Sequence, residues 1–451
     1  RFGVIYAIAP SRLADHDIWA GTDDGQIWRT RDEGAHWTNI TPAALTAWSK
    51  VGIIDASHFD AETAYASVDR HRLDDFKPYV YRTHDGGTTW QLIADGLPIV
   101  VNVVREDPVR KGLLYAGSER GMYVSFDDGD HWQPLQMNLP VTSIRDIDVH
   151  GNDVVIATHG RAFWILDDVS PLRQNVSPGT FLFAPSIAYR ERGAGFTGSP
   201  MPKDEPMAAN PPAGAYIDYV LENSSPITLE VFDANDQLVR RYNSSDKVPA
   251  VDLAKLKVAP EWFATPSTLS TAPGMHRFVW PLRYPEAPEL DATHRGAFAD
   301  GVWAPPGHYK VVLTVNGQRL TQPLTIAADP RLNLPASAYA EQFALARQIE
   351  STRAAVHAAL TEAEGIVTKG QDPLKTRVTE MTEVVPEEQW YLAPRTTTSL
   401  RFLDAALQEL ANAVDGADAA PTPDARDGYA RIRPLADAAV QKWKEFRATS
   451  K

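Results

Sequence analysis

Five acidic residues in the first third of the chain, Asp23, Asp24, Asp74, Asp75 and Glu119, fall near four arginines, Arg70, Arg72, Arg120 and Arg161. Paired carboxyl groups cleave glycosidic bonds when they stand about 5–5.5 Å apart for retention or about 6.5–9.5 Å apart for inversion. Arginines grip a ligand carboxylate through two parallel N–H···O contacts. Trp48 adds a stacking surface, and His71 and His159 add imidazoles. Asp75, Glu119 and Asp24 are therefore the candidate catalytic carboxylates. Asp24, Trp48, Arg70, His71, Arg72, Asp74, Asp75, Glu119, Arg120, His159 and Arg161 form the candidate ligand-binding set. His71 with Asp74 and Asp75, or His159 with Asp167 and Asp168, match neither zinc nor calcium-loop spacing, so no metal site is expected. No Ser-His-Asp arrangement, phosphate loop or dinucleotide fingerprint is present, and no cofactor is expected.

These residues need a scaffold, and a repeat supplies it. The phrases TRDEGAHW, THDGGTTW and SFDDGDHW occupy residues 30–37, 83–90 and 125–132, each reading Ser/Thr-x-Asp-x-Gly-x-x-Trp. Two short apolar runs precede each copy, such as VNVVREDP and LLYAGSE ahead of the last. A fourth unit, SIRDIDVHG, DVVIATHG and AFWILDD, lacks the box. Short strands with a period near 40–50 residues describe propeller blades of four strands each. The box is expected to turn from a third to a fourth strand. Asp32, Asp85 and Asp127 would fold back on backbone N–H groups. Gly34, Gly87 and Gly129 would take positive φ or allow close packing. Trp37, Trp90 and Trp132 would wedge between sheets. On this topology the candidate site residues share the opposite rim. The insertion DRHRLDDFKP there is about twice a minimal two-to-five-residue connection.

The repeat resembles the Asp-box, or bacterial neuraminidase repeat, of sialidases, tandem-propeller xyloglucanases and sortilin-type propellers. HRLDDFKPYVYRTHDGGTTW, REDPVRKGLLYAGSERGMYVSFDDGDHW and ATHGRAFWILDDVSPLRQ resemble large, exported bacterial members called glycosyl hydrolases or sortilin-like proteins. The resemblance implies a periplasmic or secreted location. It implies either a binding scaffold for a peptide, glycan or partner subunit, or a sialidase- or xyloglucanase-like glycoside hydrolase. The Arg-Ile-Pro signature that sialidases carry ahead of their boxes is absent. ARIRP at residues 430–434 is a chance echo within a helical stretch.

The expected class is mainly β. Residues 1–190 would form about four blades of a larger propeller, with FLFAPSIAYR at 181–190 filling the fourth strand of the last blade. Residues 191–214, rich in Pro, Gly and Ala, would be a linker. Residues 215–330 would form an immunoglobulin-like β-sandwich, with Asn316-Gly317 marking a type I′ hairpin. Residues 335–451 would form a helical hairpin or bundle, with apolar stripes through Ile349, Leu403, Leu435 and Trp443. About four blades do not close a ring, so missing N-terminal blades or a second chain are expected partners. The opening RFGVIYAIAP reads as strand, and residue 1 is expected to be a cut end. A net charge of −14 argues against nucleic acid as partner. No apolar run of about 18 residues suggests a membrane span. The absence of cysteine excludes disulfides and thiolate chemistry.

Overall fold

The computed structural model describes residues 3–192, 210–247, 267–290, 301–369, 374–384 and 394–449. Most of the 191–214 linker lies outside the described residues. The chain forms two compact units, Arg1–Asn175 and Val176–Lys451.

The first unit is a run of antiparallel sheets in chain order. The first blade holds β1 (Ile5–Pro10), β2 (Ile18–Thr22), β3 (Ile27–Thr30) and β4 (Thr38–Asn39). The second holds β5 (Lys50–Ala56), β6 (Ala64–Asp69), β7 (Val80–Thr83) and β8 (Gln91–Leu92). The third holds β9 (Val101–Glu106), β10 (Leu114–Ser118), β11 (Met122–Ser125) and β12 (Gln133–Pro134). The fourth has three strands, β13 (Ile144–His150), β14 (Asp153–Thr158) and β15 (Phe163–Leu166).

Alternation of apolar residues turns each sheet into a two-faced layer, and neighbouring layers bury those faces together. Trp19, Val51, Ile54 and Tyr81 fill the space between blades one and two. Tyr65, Ile93, Val104 and Trp132 fill the next. Tyr115, Val124, Ile147 and Ile156 fill the last. The result is a propeller-like arc with the first strand of every blade innermost.

The second unit opens with β16 (Phe181–Leu182) and β17 (Ala188–Arg190). It continues through β18 (Ala215–Leu221), β19 (Ile227–Asp233), β20 (Leu238–Asn243), β21 (Gly274–Trp280), β22 (Gly307–Val315) and β23 (Gln318–Ala328). One sheet runs β16-β18-β21 and the other β17-β23-β22-β19-β20. Ile217, Leu229, Phe278, Trp280 and Leu313 share one core. At the β22–β23 hairpin Asn316 and Gly317 take φ of 50° and 81°, the conformation a type I′ turn requires.

The fourth strand expected from residues 181–190 is not in the last blade. Phe181 and Leu182 pair with β18, and Ala188–Arg190 run parallel to β23. Two short apolar stretches fit either sheet by composition, and Arg190 decides the matter. Its guanidinium is 1% exposed and bonds Asp418 and Gln342 at 2.8 and 2.9 Å.

Among the described residues four helices follow: α1 (Ala336–Lys369), α2 (Leu374–Thr382), α3 (Leu400–Asp415) and α4 (Pro423–Thr449). Ile349, Val356, Leu403, Leu407, Tyr429 and Trp443 make their core. Leu435, read from periodicity as part of that stripe, is 40% exposed. Among the described residues no helix is long and apolar enough to cross a membrane.

Candidate functional site

The boxes sit at the β3–β4, β7–β8 and β11–β12 turns. In each, the carboxylate accepts from the backbone N–H four residues on. Asp32 takes that of His36 at 2.8 Å, Asp85 that of Thr89 at 2.8 Å and Asp127 that of His131 at 3.0 Å. The Ser or Thr hydroxyl opening each box accepts from the glycine N–H at 2.9 Å, as Thr30, Thr83 and Ser125 do for Gly34, Gly87 and Gly129. All three glycines take φ of 90–94°. A Cβ on Gly87 would stand 2.6 Å from Ile40 Cδ1 of the preceding blade, so the bare backbone is what lets adjacent blades touch.

The tryptophans complete the joint. Trp90 Nε1 donates to the Ile40 carbonyl at 2.8 Å, and Trp132 Nε1 to the Ile93 carbonyl at 2.9 Å. Trp37, in the first blade, is 41% exposed. The box carboxylates thus serve their own turns, and none lines a cavity described below.

The opposite rim carries the candidate site residues in three local clusters. In blade one, Asp24 accepts from the Thr22 hydroxyl at 2.5 Å and from Gln26 Nε2 at 3.3 Å. Its carbonyl takes the N–H of Trp48 at 2.7 Å, and Trp48, at φ 65°, holds its indole 43% exposed. Asp23 caps the chain by accepting from the Val4 N–H at 2.8 Å.

In blade two, the insertion forms a single 3-10 turn over His71–Leu73 closed by Asp74 at φ 60°. Asp69 receives both the His71 backbone N–H and its ring Nδ1. Asp75 accepts from the Tyr79 hydroxyl at 2.8 Å and lies 3.4 Å from Arg70 Nε, while Arg70 covers the Tyr79 ring. The Tyr79 hydrogen bond holds the Asp75 carboxyl below the usual range. Arg72 and Asp74 stand exposed.

In blades three and four, Arg145 joins two candidates by reaching Glu119 at 3.1 Å and His159 Nδ1 at 3.3 Å. Asn102 also donates to Glu119 at 3.0 Å. Arg120 and Arg161 are exposed and anchored by backbone N–H bonds to the Ser118 and Thr158 hydroxyls. Among the described residues the side chains of Arg72, Arg120 and Arg161 have no ion-pair partner. Asn102, Arg145 and Tyr79 were missed by sequence reasoning. Asn102 and Arg145 share a signal, since each is a polar residue at the second position of an innermost strand, β9 and β13.

A further concentration of charge lies at the other end of the axis. The innermost strands run toward the box side, because first and third strands of an antiparallel sheet point the same way. At their C-terminal ends a cavity of about 560 Å³ is lined by Arg12, Asp55, His58, Arg105, Glu106 and Asp146, among others. Asp55 and Glu106 are 3% and 2% exposed. Asp55 accepts from the Glu106 N–H at 2.8 Å and has Arg12 and Arg105 each at 3.7 Å. Glu106 accepts from the Ser57 hydroxyl at 2.5 Å and the His58 N–H at 3.0 Å.

Burial raises both carboxyls above their ordinary range, and the neighbouring Asp55 charge pushes Glu106 further the same way. Burial, helped by Arg12, lowers His58. A charge-lined cavity therefore lies on the box side of the axis, whereas the sequence pointed to the rim. One signal was available: Asp55, Arg105 and Asp148 hold equivalent strand positions, opposite Tyr65, Tyr115 and Val155. Among the described residues no three His, Asp or Glu side chains are grouped to hold a metal ion.

No protein-family model matches the chain, and no curated protein matches it. Among solved structures it is similar to YCF48 bound to D1 peptide, at 18% identity and TM-score 0.29, covering 37% of this chain and 51% of that one. It is similar to YCF48 from Cyanidioschyzon merolae at 18% identity and TM-score 0.28, covering 41% and 60%. A GH74 enzyme from Niastella koreensis is similar at 16% identity and TM-score 0.29, covering 47% and 27%. The chain spans 51% and 60% of the two YCF48 structures and 27% of that enzyme.

Proposed function

We propose that the protein is an Asp-box propeller binding module whose rim recognises an anionic group on a peptide, a glycan or a partner subunit. One contrast carries this reading. The rim carboxylates Asp24, Asp75 and Glu119 are each occupied by local bonds. Arg72, Arg120 and Arg161 are exposed, with Trp48 in the same rim offering a flat face. Loops locked by their own hydrogen bonds lose little entropy on binding, which favours recognition. The reading includes an extracytoplasmic location and a further blade or second chain against blade one, where among the described residues Trp37 has no counterpart of the carbonyl that Trp90 and Trp132 each hold. The two-sheet region of the second unit would act as an immunoglobulin-like spacer.

The test is titration with hexaglutamate and, separately, with sialyllactose, against wild type and an Arg72→Ala, Arg120→Ala, Arg161→Ala variant. Saturable binding to either probe that the triple variant loses supports the module. Binding untouched by the triple variant, or no binding of either probe, counts against it.

A second reading, glycoside hydrolysis, is favoured by one observation. Asp55 and Glu106 combine burial, raised carboxyl pKa and an adjoining cavity, the environment of a general acid. Turnover of a β-glucan abolished by Glu106→Gln, with the fold intact, would support it.

A further inference from the structure

Blades one to three each close with a two-residue fourth strand, and the three closures follow one rule. The residue three after the box tryptophan donates its N–H to the carbonyl of the first residue of the third strand. Ile40 does so to Ile27 at 2.9 Å, Ile93 to Val80 at 2.8 Å and Leu135 to Met122 at 2.9 Å. The two residues before it pair with the next two positions, as Gln91 and Leu92 do with Arg82 and Tyr81. The aliphatic side chain then enters an interblade core, where Ile93 is 2% exposed.

Blade four has no such strand among the described residues. Among the described residues nothing pairs with the far edge of β15, because the chain leaves Leu166 for a 3-10 turn over Ser170–Arg173. Arg173 then binds the buried Asp107 at 2.9 Å, holding that turn away from the edge. Third strands of the other blades are largely buried, but β15 leaves Phe163 76% and Ile165 58% exposed. Beside it runs a shallow groove of about 60 Å³ lined by Met137, Leu139, Trp164 and Leu166, among others.

We propose that β15 is a peptide-docking edge that accepts one extended strand from another polypeptide, of the form Trp-x-x-Ile or Trp-x-x-Leu. Continuity with the three closed blades fixes the register. The Phe163 carbonyl is equivalent to those of Ile27, Val80 and Met122, and takes the N–H of the incoming Ile or Leu. The residue before it lies opposite Trp164, and the one before that opposite Ile165. Strand addition of this kind draws affinity from main-chain hydrogen bonds and specificity from alternate side chains. A second copy of the chain fits poorly, because its own fourth-strand segments are already paired within their blades. This edge is independent of the arginine rim.

The experiment uses the full chain and a labelled peptide copying Thr88–Ile93, flanked by lysines, with binding read by fluorescence anisotropy. Saturable binding is expected. N-methylation of the peptide's Ile amide removes the donor to Phe163 and should weaken binding about tenfold, the worth of one net hydrogen bond. Ile165→Lys should weaken it comparably with melting unchanged, and the rim triple variant should bind as wild type. Absence of saturable binding overturns the proposal, as does indifference to N-methylation or to Ile165→Lys. A sedimentation result in which Ile165→Lys dissociates a dimer of the chain also overturns it, assigning the edge to self-association.

Discussion

Trp132 donates its indole N–H to the main-chain carbonyl of Ile93 across 2.9 Å, joining the third blade's turn to the second blade's outer strand. Trp132 is 6% exposed, whereas its counterpart Trp37 is 41% exposed. Trp132→Ala should therefore cost about 3–5 kcal/mol through lost burial and an orphaned carbonyl. Trp37→Ala should cost under about 1 kcal/mol, in keeping with a partly exposed position. Denaturant unfolding of both variants checks the contrast, and equal losses would contradict it.

Glu106 is pushed up from its ordinary value of 4.5 by burial. A group whose folded pKa lies above its unfolded one favours the native state fully below the unfolded value. That contribution is lost as pH rises through the folded value. Glu106→Gln should remove this slope. The melting temperature of the variant should gain on wild type as pH rises from about 4.5 toward neutrality. A constant difference between the two melting curves would mean that Glu106 has the same pKa in the folded and unfolded states.

The turn histidine His131 is raised above 6.5, chiefly by its hydrogen bond to Asp127, and Asp32 is lowered to about 2 by the His36 N–H. The signs differ. His131 supports its turn below pH 6.5 and loses that support as pH rises through its folded value. Asp32 supports its turn above pH 3.8 and loses that as pH falls toward 2. An NMR titration should show the His131 midpoint fall toward 6.5 in Asp127→Asn. An unmoved midpoint would mean that the pair does not form.

The buried Arg190–Asp418 pair, at 2.8 Å, ties the β region of the second unit to its helices. Asp418→Ala strands Arg190 and should cost about 3–5 kcal/mol. Arg190→Met with Asp418→Leu should cost less than Asp418→Ala alone, since no buried charge is left unpaired. Chemical denaturation of the two variants orders them, and the reverse order would contradict this role.

The boxes were legible because four residue types recur at fixed spacing, and each acts within its own turn or on the adjacent blade. The helices were legible for a similar reason, since Ile349, Leu403 and Trp443 repeat with helical period. Leu435 shared that period yet is exposed, because periodicity marks a face and not how far a neighbour covers it. The axial cavity was legible only in the matched strand positions of Asp55, Arg105 and Asp148. Arg12, Asp55, Arg105 and Asp146 come from four blades and meet only after the sheets pack. The destination of residues 181–190 was not legible, since pairing depends on distant partners such as Asp418 and not on local composition. In the rim, Arg145 links Glu119 to His159, a meeting that no spacing encodes.

The most direct measurement separates joints from rim. Calorimetric titration with hexaglutamate at low and physiological ionic strength compares wild type, the Arg72, Arg120 and Arg161 triple alanine variant, and Asp85→Asn. The expected result is saturable binding that weakens with salt, falls at least about tenfold in the triple variant and persists in a destabilised but folded Asp85→Asn. Binding that survives loss of the arginines, yet disappears in a folded Asp85→Asn, would contradict the account.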